Sequence, residues 1–174
     1  TMRRNVNAGS PDLKLFELGK IFIASGEGEL PREVDKIALL MTGSRYGENW
    51  HFQSLSADFY DMKGALETLA GALRAGGLRC EAASDISWLH PGRAARVFVG
   101  EREIGSFGEL HPDVAGRMDL RNRAFVLEID AAPLTGGAER VARYREYSRF
   151  PSMIRDVAFL VGLETEAAKM IALA

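Results

Sequence analysis

Apolar and polar positions change period several times along the chain, and each change marks an element. From Asp58 to Leu73 the apolar residues Phe59, Met62, Leu66, Leu69 and Leu73 recur at spacings of three and four, which predicts a helix with one buried stripe. Asp58 is placed as its N-cap, Asp61 adds negative charge to the first turn, and Gly76-Gly77 is expected to end it. Upstream, Lys14 to Ala24 predicts a strand bounded by Pro11-Asp12 and Ser25-Gly26. Leu15, Ile21 and Ile23 fall on one of its faces, and Phe16, Leu18 and Phe22 on the other. A strand apolar on both faces is expected in mid-sheet, covered on each side. After a turn over Gly26 to Pro31, Lys36 to Thr42 predicts a second buried strand, and Gly43 to Gln53 a polar loop carrying Trp50 and His51.

The second half reads the same way. Ala95 to Val99 and Ile104 to Leu110 flank Gly100-Glu101-Arg102, the pattern of a hairpin with a short glycine turn. Ala124 to Asp130 alternates Phe125, Leu127 and Ile129 with Val126, Glu128 and Asp130, as a half-exposed strand does. Pro133 to Ala138 reads as the end of a unit, Glu139 to Ser148 as a charged and aromatic linker, Arg155 to Val161 as a fresh strand, and Glu164 to Ala174 as a helix left without a stop signal. The sum is an antiparallel-dominated α+β unit followed by the β-α start of another, the pattern of a fragment.

Composition narrows the function classes. With 174 residues, 47% hydrophobic and 26% charged, the chain is globular, and no run approaches a membrane span. No secretory leader is evident at Thr1 to Asn5 and Cys80 is a single cysteine, so the expected compartment is the cytoplasm. The net charge of −2 gives no global field for nucleic acid.

Candidate chemistry gathers at His90-Pro91-Gly92-Arg93 and Glu109-Leu110-His111-Pro112. Each histidine precedes a proline, which forces it out of the α region. One reading is a shared acid–base site at two strand ends. The other is a pair of turns whose imidazoles bond backbone carbonyls, and it is favoured because nothing supplies a nucleophile–base pair. His51, His90, His111 and Glu109 lack close metal-ligand spacing. No glycine-rich phosphate loop follows a strand. The strip from Arg140 to Arg149 interleaves arginine and tyrosine as an RNA-binding strip would, but Glu139 and Glu146 dilute it toward a solvated linker. The residues alone therefore leave three readings open: a structural or assembly module, a small enzyme using His90, His111 and Glu109, and a free RNA-binding module.

Five ordered blocks resemble one family. They are Leu15-Phe16-Glu17-Leu18-Gly19-Lys20-Ile21-Phe22; Trp50-His51 ahead of Asp58-Phe59-Tyr60-Asp61-Met62-Lys63-Gly64; Leu89-His90-Pro91-Gly92-Arg93; Ile104 to Pro112; and Ser148-Arg149-Phe150-Pro151 ahead of Arg155-Asp156-Val157-Ala158-Phe159. Together they resemble the beta subunit of bacterial phenylalanine–tRNA synthetase over nearly the whole chain. The resemblance implies a catalytic-like domain with the class II synthetase fold, an antiparallel sheet flanked by helices, over residues 1–135. It further implies a linker over 136–147 and the truncated β-α start of a ferredoxin-like anticodon-binding domain over 148–174. Met2 to Asn7 would be the tail of a longer helix. The whole enzyme so implied is a ligase of two alpha and two beta chains that joins phenylalanine to its tRNA with ATP and magnesium. This segment departs from the class II pattern where ATP is held. An arginine followed two residues later by glutamate is replaced by Phe16-Glu17-Leu18-Gly19. A glycine-rich segment ending in arginine is replaced by Phe125 to Pro133. The resemblance thus implies no catalytic, cofactor or metal residue here. It leaves Trp50, His51, Lys63, His90, Arg93, Glu109 and His111 as structural or interface candidates, and Arg143, Arg145, Arg149 and Arg155 as RNA or partner contacts.

Overall fold

The computed structural model describes the chain except residues 27, 48, 52, 137–143, 145, 148, 164, 166 and 172–174, and the side chains of 168 and 169. The chain divides into two units, Thr1–Val141 and Ala142–Ala174.

The first unit is a six-stranded antiparallel sheet with a principal helix on one face. Its strands are β1 (Leu13–Ile23), β2 (Arg32–Thr42), β3 (Leu78–Ala82), β4 (Leu89–Val99), β5 (Arg102–Leu110) and β6 (Ala124–Asp130). Their spatial order is β1-β2-β6-β5-β4-β3. Helix α1 (Met2–Asn7) precedes the sheet, α2 (Phe59–Ala72) joins its two halves, and α3 (Pro112–Arg117) and α4 (Ala132–Thr135) are short connectors. In β6, Phe125, Leu127 and Ile129 are fully buried. Register puts them on one face with Met41, Leu39 and Ile37 of β2, and with Phe107 and Gly105 of β5. Helix α2 packs on this face over β5 and β6, burying Met62, Leu66 and Ala70, one side of the helix at spacings of four. Phe59 stacks on Phe107 with ring centroids 4.8 Å apart.

The helix starts where expected. The Asp58 carboxylate accepts the N–H groups of Tyr60 and Asp61 while Asp61 accepts from the Asp58 N–H, a complete capping box. Its stop differs. The chain leaves the helix at Leu73, and Arg74 itself takes the left-handed conformation at φ 54°. Gly77 turns the chain into β3, where its carbonyl accepts the Gly100 N–H at 2.9 Å. The β4–β5 hairpin is longer than predicted because Leu89 to Ala94 joins the ladder across a bulge, with Leu89 facing Leu110.

Two expectations are corrected. β1 is the outermost strand, paired to β2 alone from Leu13↔Thr42 to Ile23↔Arg32. Phe16, Leu18 and Phe22 are 81%, 68% and 64% exposed. The apolar pattern signals a surface to be covered, and no described element of the first unit covers it. In the second unit no strand forms over Arg155–Val161, where one was expected. An isolated strand has no ladder to satisfy its backbone. Val157, Phe159 and Leu160 are accordingly exposed there, and the only helix among the described residues is α5 (Ala167–Ile171).

Candidate functional site

The strand register brings three of the candidates to one end of the sheet. His90 opens β4, and Glu109 and His111 sit at the end of β5. The His111 N–H donates to the Trp88 carbonyl at 2.9 Å, closing that end. The imidazoles do the same job twice. His90 Nδ1 accepts the Gly92 N–H at 3.0 Å, and His111 Nδ1 accepts the Asp113 N–H at 3.2 Å, capping α3. They serve as turn residues, but as acceptors of N–H groups, not as donors to carbonyls. Proline after each histidine fixes the extended backbone that brings the ring back over the amide two residues on. His111→Ala should therefore cost about 1 kcal/mol, the usual value of a lost N-cap. Chemical denaturation checks it: a midpoint unchanged from wild type would deny the cap its role.

Glu109 is the buried acid of the sheet, and it bridges two strands and a loop. Its Oε2 accepts from Arg93 Nη1 at 2.8 Å and from Arg123 Nη2 at 2.5 Å. Arg123 is held in turn: its carbonyl accepts from the buried Thr42 hydroxyl at 2.8 Å, and its guanidinium lies 5.3 Å from the Phe125 ring centroid. Burial pushes the Glu109 carboxyl up, but the hydrogen bonds and charges of Arg123 and Arg93 outweigh it and hold the net value below the ordinary one. A lowered folded-state value means stabilisation that is complete above the unfolded value, about 4.3, and lost as pH falls through the folded one. Wild type should be more stable than Glu109→Gln at pH 7. The gap should close in acid, and unfolding curves from pH 7 to pH 2 read it; a gap independent of pH would show that charge has no part.

Sequence reasoning singled out Arg93 and Glu109 separately and missed Arg123. The signal was available only through pairing: Glu109 faces Phe125, and Arg123 lies two residues further along the same face. A second network was also missed. Arg45 reaches Asp58 at 2.6 Å and Asp61 at 3.0 Å, tying the loop after β2 to the start of α2.

Between these networks lies an open cavity of about 480 Å³ on the helix-bearing face, floored by Ala94, Ala95 and Phe107 and rimmed by Lys63, Arg93 and Arg123. Lys63 points along α2 toward Glu67 at 3.6 Å. Trp50 and His51 do not join the site. They lie on the exposed loop, their rings edge to face at 5.5 Å. Of the other candidates, Arg149 pairs with Glu146 at 3.2 Å and Arg155 Nε lies 3.1 Å from Met153 Sδ. Arg143 and Arg145 lie outside the described residues. Among the described residues no group of three acidic, cysteine or histidine side chains is placed to hold a metal. Two acids stand near the places where the resemblance would expect ATP-binding arginines. Glu17 lies on β1, and Glu128 on β6 is paired to Lys36 at 3.4 Å.

This sheet with its covering helix shares its fold with half of a known tRNA synthetase. The chain superposes on pyrrolysyl-tRNA synthetase from Desulfitobacterium hafniense with a TM-score of 0.51 at 15% identity, over 82% of this chain and 50% of that one. A second structure of that enzyme gives 0.50 at 16% identity, over 83% and 50%. Residues 1–131 match the model of the phenylalanyl tRNA synthetase beta chain CLM domain, and the chain belongs to that family. It is 42% identical over 173 residues to the phenylalanine–tRNA ligase beta subunit of Syntrophus aciditrophicus, covering 99% of this chain and 22% of the relative. The beta subunit of Geobacter sulfurreducens is 37% identical over 168 residues, 97% of this chain and 21% of the relative. The chain thus spans about a fifth of the length of the curated relatives it matches.

Proposed function

We propose that the chain is a non-catalytic assembly module of a phenylalanine–tRNA ligase beta subunit, supporting the charging of tRNA(Phe) by an alpha subunit in the cytoplasm. In this reading residues 1–135 are the module, 136–147 a linker, and 148–174 part of a second domain. The intact enzyme is a two-alpha, two-beta tetramer that supplies ATP and magnesium chemistry from the alpha chain. Neither a small His/Glu enzyme nor a free RNA-binding module is favoured: both imidazoles are engaged as backbone acceptors, and Arg149 is paired with an acid.

One observation carries the reading. Opposed residues of an antiparallel ladder share a face, so Phe16 lies beside Leu39 and Leu18 beside Ile37. The face of β1 bearing Phe16, Leu18 and Phe22 is therefore the continuation of the core face, beyond the reach of α2. An apolar layer that continues outward without a cover marks a surface to be covered, and in this reading the alpha subunit covers it.

The test has two arms. On a sizing column with light scattering, the chain should co-elute with the alpha subunit of its own enzyme. Alone, it should show no phenylalanine-dependent pyrophosphate exchange, because positioning cations for the triphosphate is most of that catalysis. A concentration-independent monomer that ignores the alpha subunit would overturn the assembly role. Exchange by the chain alone, abolished by His90→Ala or His111→Ala, would overturn the non-catalytic one.

A further inference from the structure

The cavity under the start of α2 lies on β3, β4 and β5, at the opposite end of the sheet from β1, and the docking surface does not use it. We infer that it is a binding site for a small molecule with one anionic head and a flat apolar body.

The volume exists because of a local choice of small residues. Elsewhere on this face the strands carry Leu127, Ile129 and Val97, all fully buried. At the mouth of the cavity Ala82 of β3 faces Ala95 of β4. Two methyl groups opposite one another leave the space that branched chains would have filled. The remaining space, about 480 Å³, is within the range of ligand sites, roughly 300–1,000 Å³. Phe107 and Phe59, stacked together, give it an aromatic wall.

Three cations stand at the rim, Lys63, Arg93 and Arg123. The two guanidinium groups share a single carboxylate oxygen of Glu109, and the Asp58 charge also acts on Arg123. Each guanidinium carries five N–H donors in a fixed fork, and each uses one on Glu109. Both side chains are about half exposed, with donors left for a ligand. Lys63, the third cation, pairs loosely with Glu67 at 3.6 Å. The acid at the rim, Asp58, is already engaged by Arg45 and by the first amides of α2, which leaves it little capacity to hold a cationic ligand. A guanidinium fork fits a carboxylate or a phosphate equally. The alanine and phenylalanine floor fits a flat hydrocarbon.

Titrating the chain with naphthalene-1-carboxylate and with 1-naphthyl phosphate, followed by amide NMR shifts, tests this and separates the two heads. Acetate supplies the head without the body, and 1-naphthylmethylammonium the body with the opposite charge. At least one of the two naphthyl anions should saturate a single site with a dissociation constant of about 1 mM or tighter, the scale set by ligand efficiency for a compound of this size. Shifts should centre on Ala94, Ala95 and Phe107, and binding should weaken with added salt. Acetate and the ammonium should bind about tenfold more weakly or not at all. The double variant Arg93→Gln/Arg123→Gln should lose about tenfold, as expected for charge-assisted hydrogen bonds. Ala82→Leu, at an exposed position the fold tolerates, should block the cavity. The inference is overturned if neither naphthyl anion saturates below 10-fold that concentration, if the ammonium binds as well as the anions, or if Ala82→Leu binds as wild type does.

Discussion

Gly105→Ala and Gly108→Ala should each remove about 3 kcal/mol or more of stability, lowering the melting temperature by roughly 10 °C for a chain of this size. β5 touches both its neighbours more closely than a side chain allows. Gly105 has φ 150°, where an L residue is strained. A methyl group there would overlap the Glu128 carbonyl oxygen and come within 2.8 Å of Ile129 Cα on β6. At Gly108 it would overlap the Arg93 carbonyl oxygen and come within 2.8 Å of Ala94 Cα on β4. In both cases the obstacle is backbone, which cannot swing aside as a side chain can. One substitution pushes β5 off β6; the other opens the bulge that presents Arg93 to Glu109. Gly116→Ala is the control: nothing lies within 4 Å of its added carbon, and it sits in α3, where alanine is the better residue. Thermal melts of the three variants decide the point, and a Gly105→Ala protein melting with wild type would contradict the packing of β5 on β6.

On the proposed assembly role, Phe16→Asp and Leu18→Asp should each weaken association with the alpha subunit by at least about 30-fold, the effect of losing an interface anchor worth roughly 2 kcal/mol or more. They should leave the free chain nearly as stable as before. The asymmetry follows from exposure. Substitutions at surface positions away from special features usually stay within about 0.5 kcal/mol. In a complex the same positions would be at the centre of a desolvated patch, where a carboxylate is costly. A core mutation would shift both readouts together. A pair of variants that bind the alpha subunit as tightly as wild type would place the docking surface elsewhere, and a pair that fail to fold would show that β1 is core after all.

The parts of the fold that were legible are those decided by local chemistry. Helix α2 could be read from five apolar positions and one aspartate because capping and amphipathic spacing are properties of neighbours in sequence. β6 could be read from its alternation. What was not legible depends on who lies beside whom. The apolar pattern of β1 is the same whether a strand is covered by its own chain or by another, so burial in mid-sheet and an uncovered edge predict identical residues. The Arg155–Val161 run has the residues of a strand, but a strand exists only as one member of a pair. The site divides in the same way. Glu109 and Arg93 stood out as charged residues beside strand ends. Arg123 became part of the cluster only when β6 was placed next to β5, a register no single segment encodes. Glycine at 105 and 108 was equally silent, since a close approach of backbones leaves no mark beyond the missing side chain.

The strand order carries a consequence for how the chain is made. β1 and β2 form one hairpin, and β3, β4 and β5 form one meander, each from consecutive residues. Neither piece touches the other in the ladder until β6, emerging last at Ala124–Asp130, inserts between β2 and β5. During synthesis the β1–β2 hairpin must wait through more than half of the unit with its inner edge unpaired, whereas the meander waits only for the short stretch after Leu110; until then both edges are open to one another and to any other strand nearby. β6 acts as a late wedge: the sheet closes in one step, and the three side chains that fill its centre arrive with the segment that closes it.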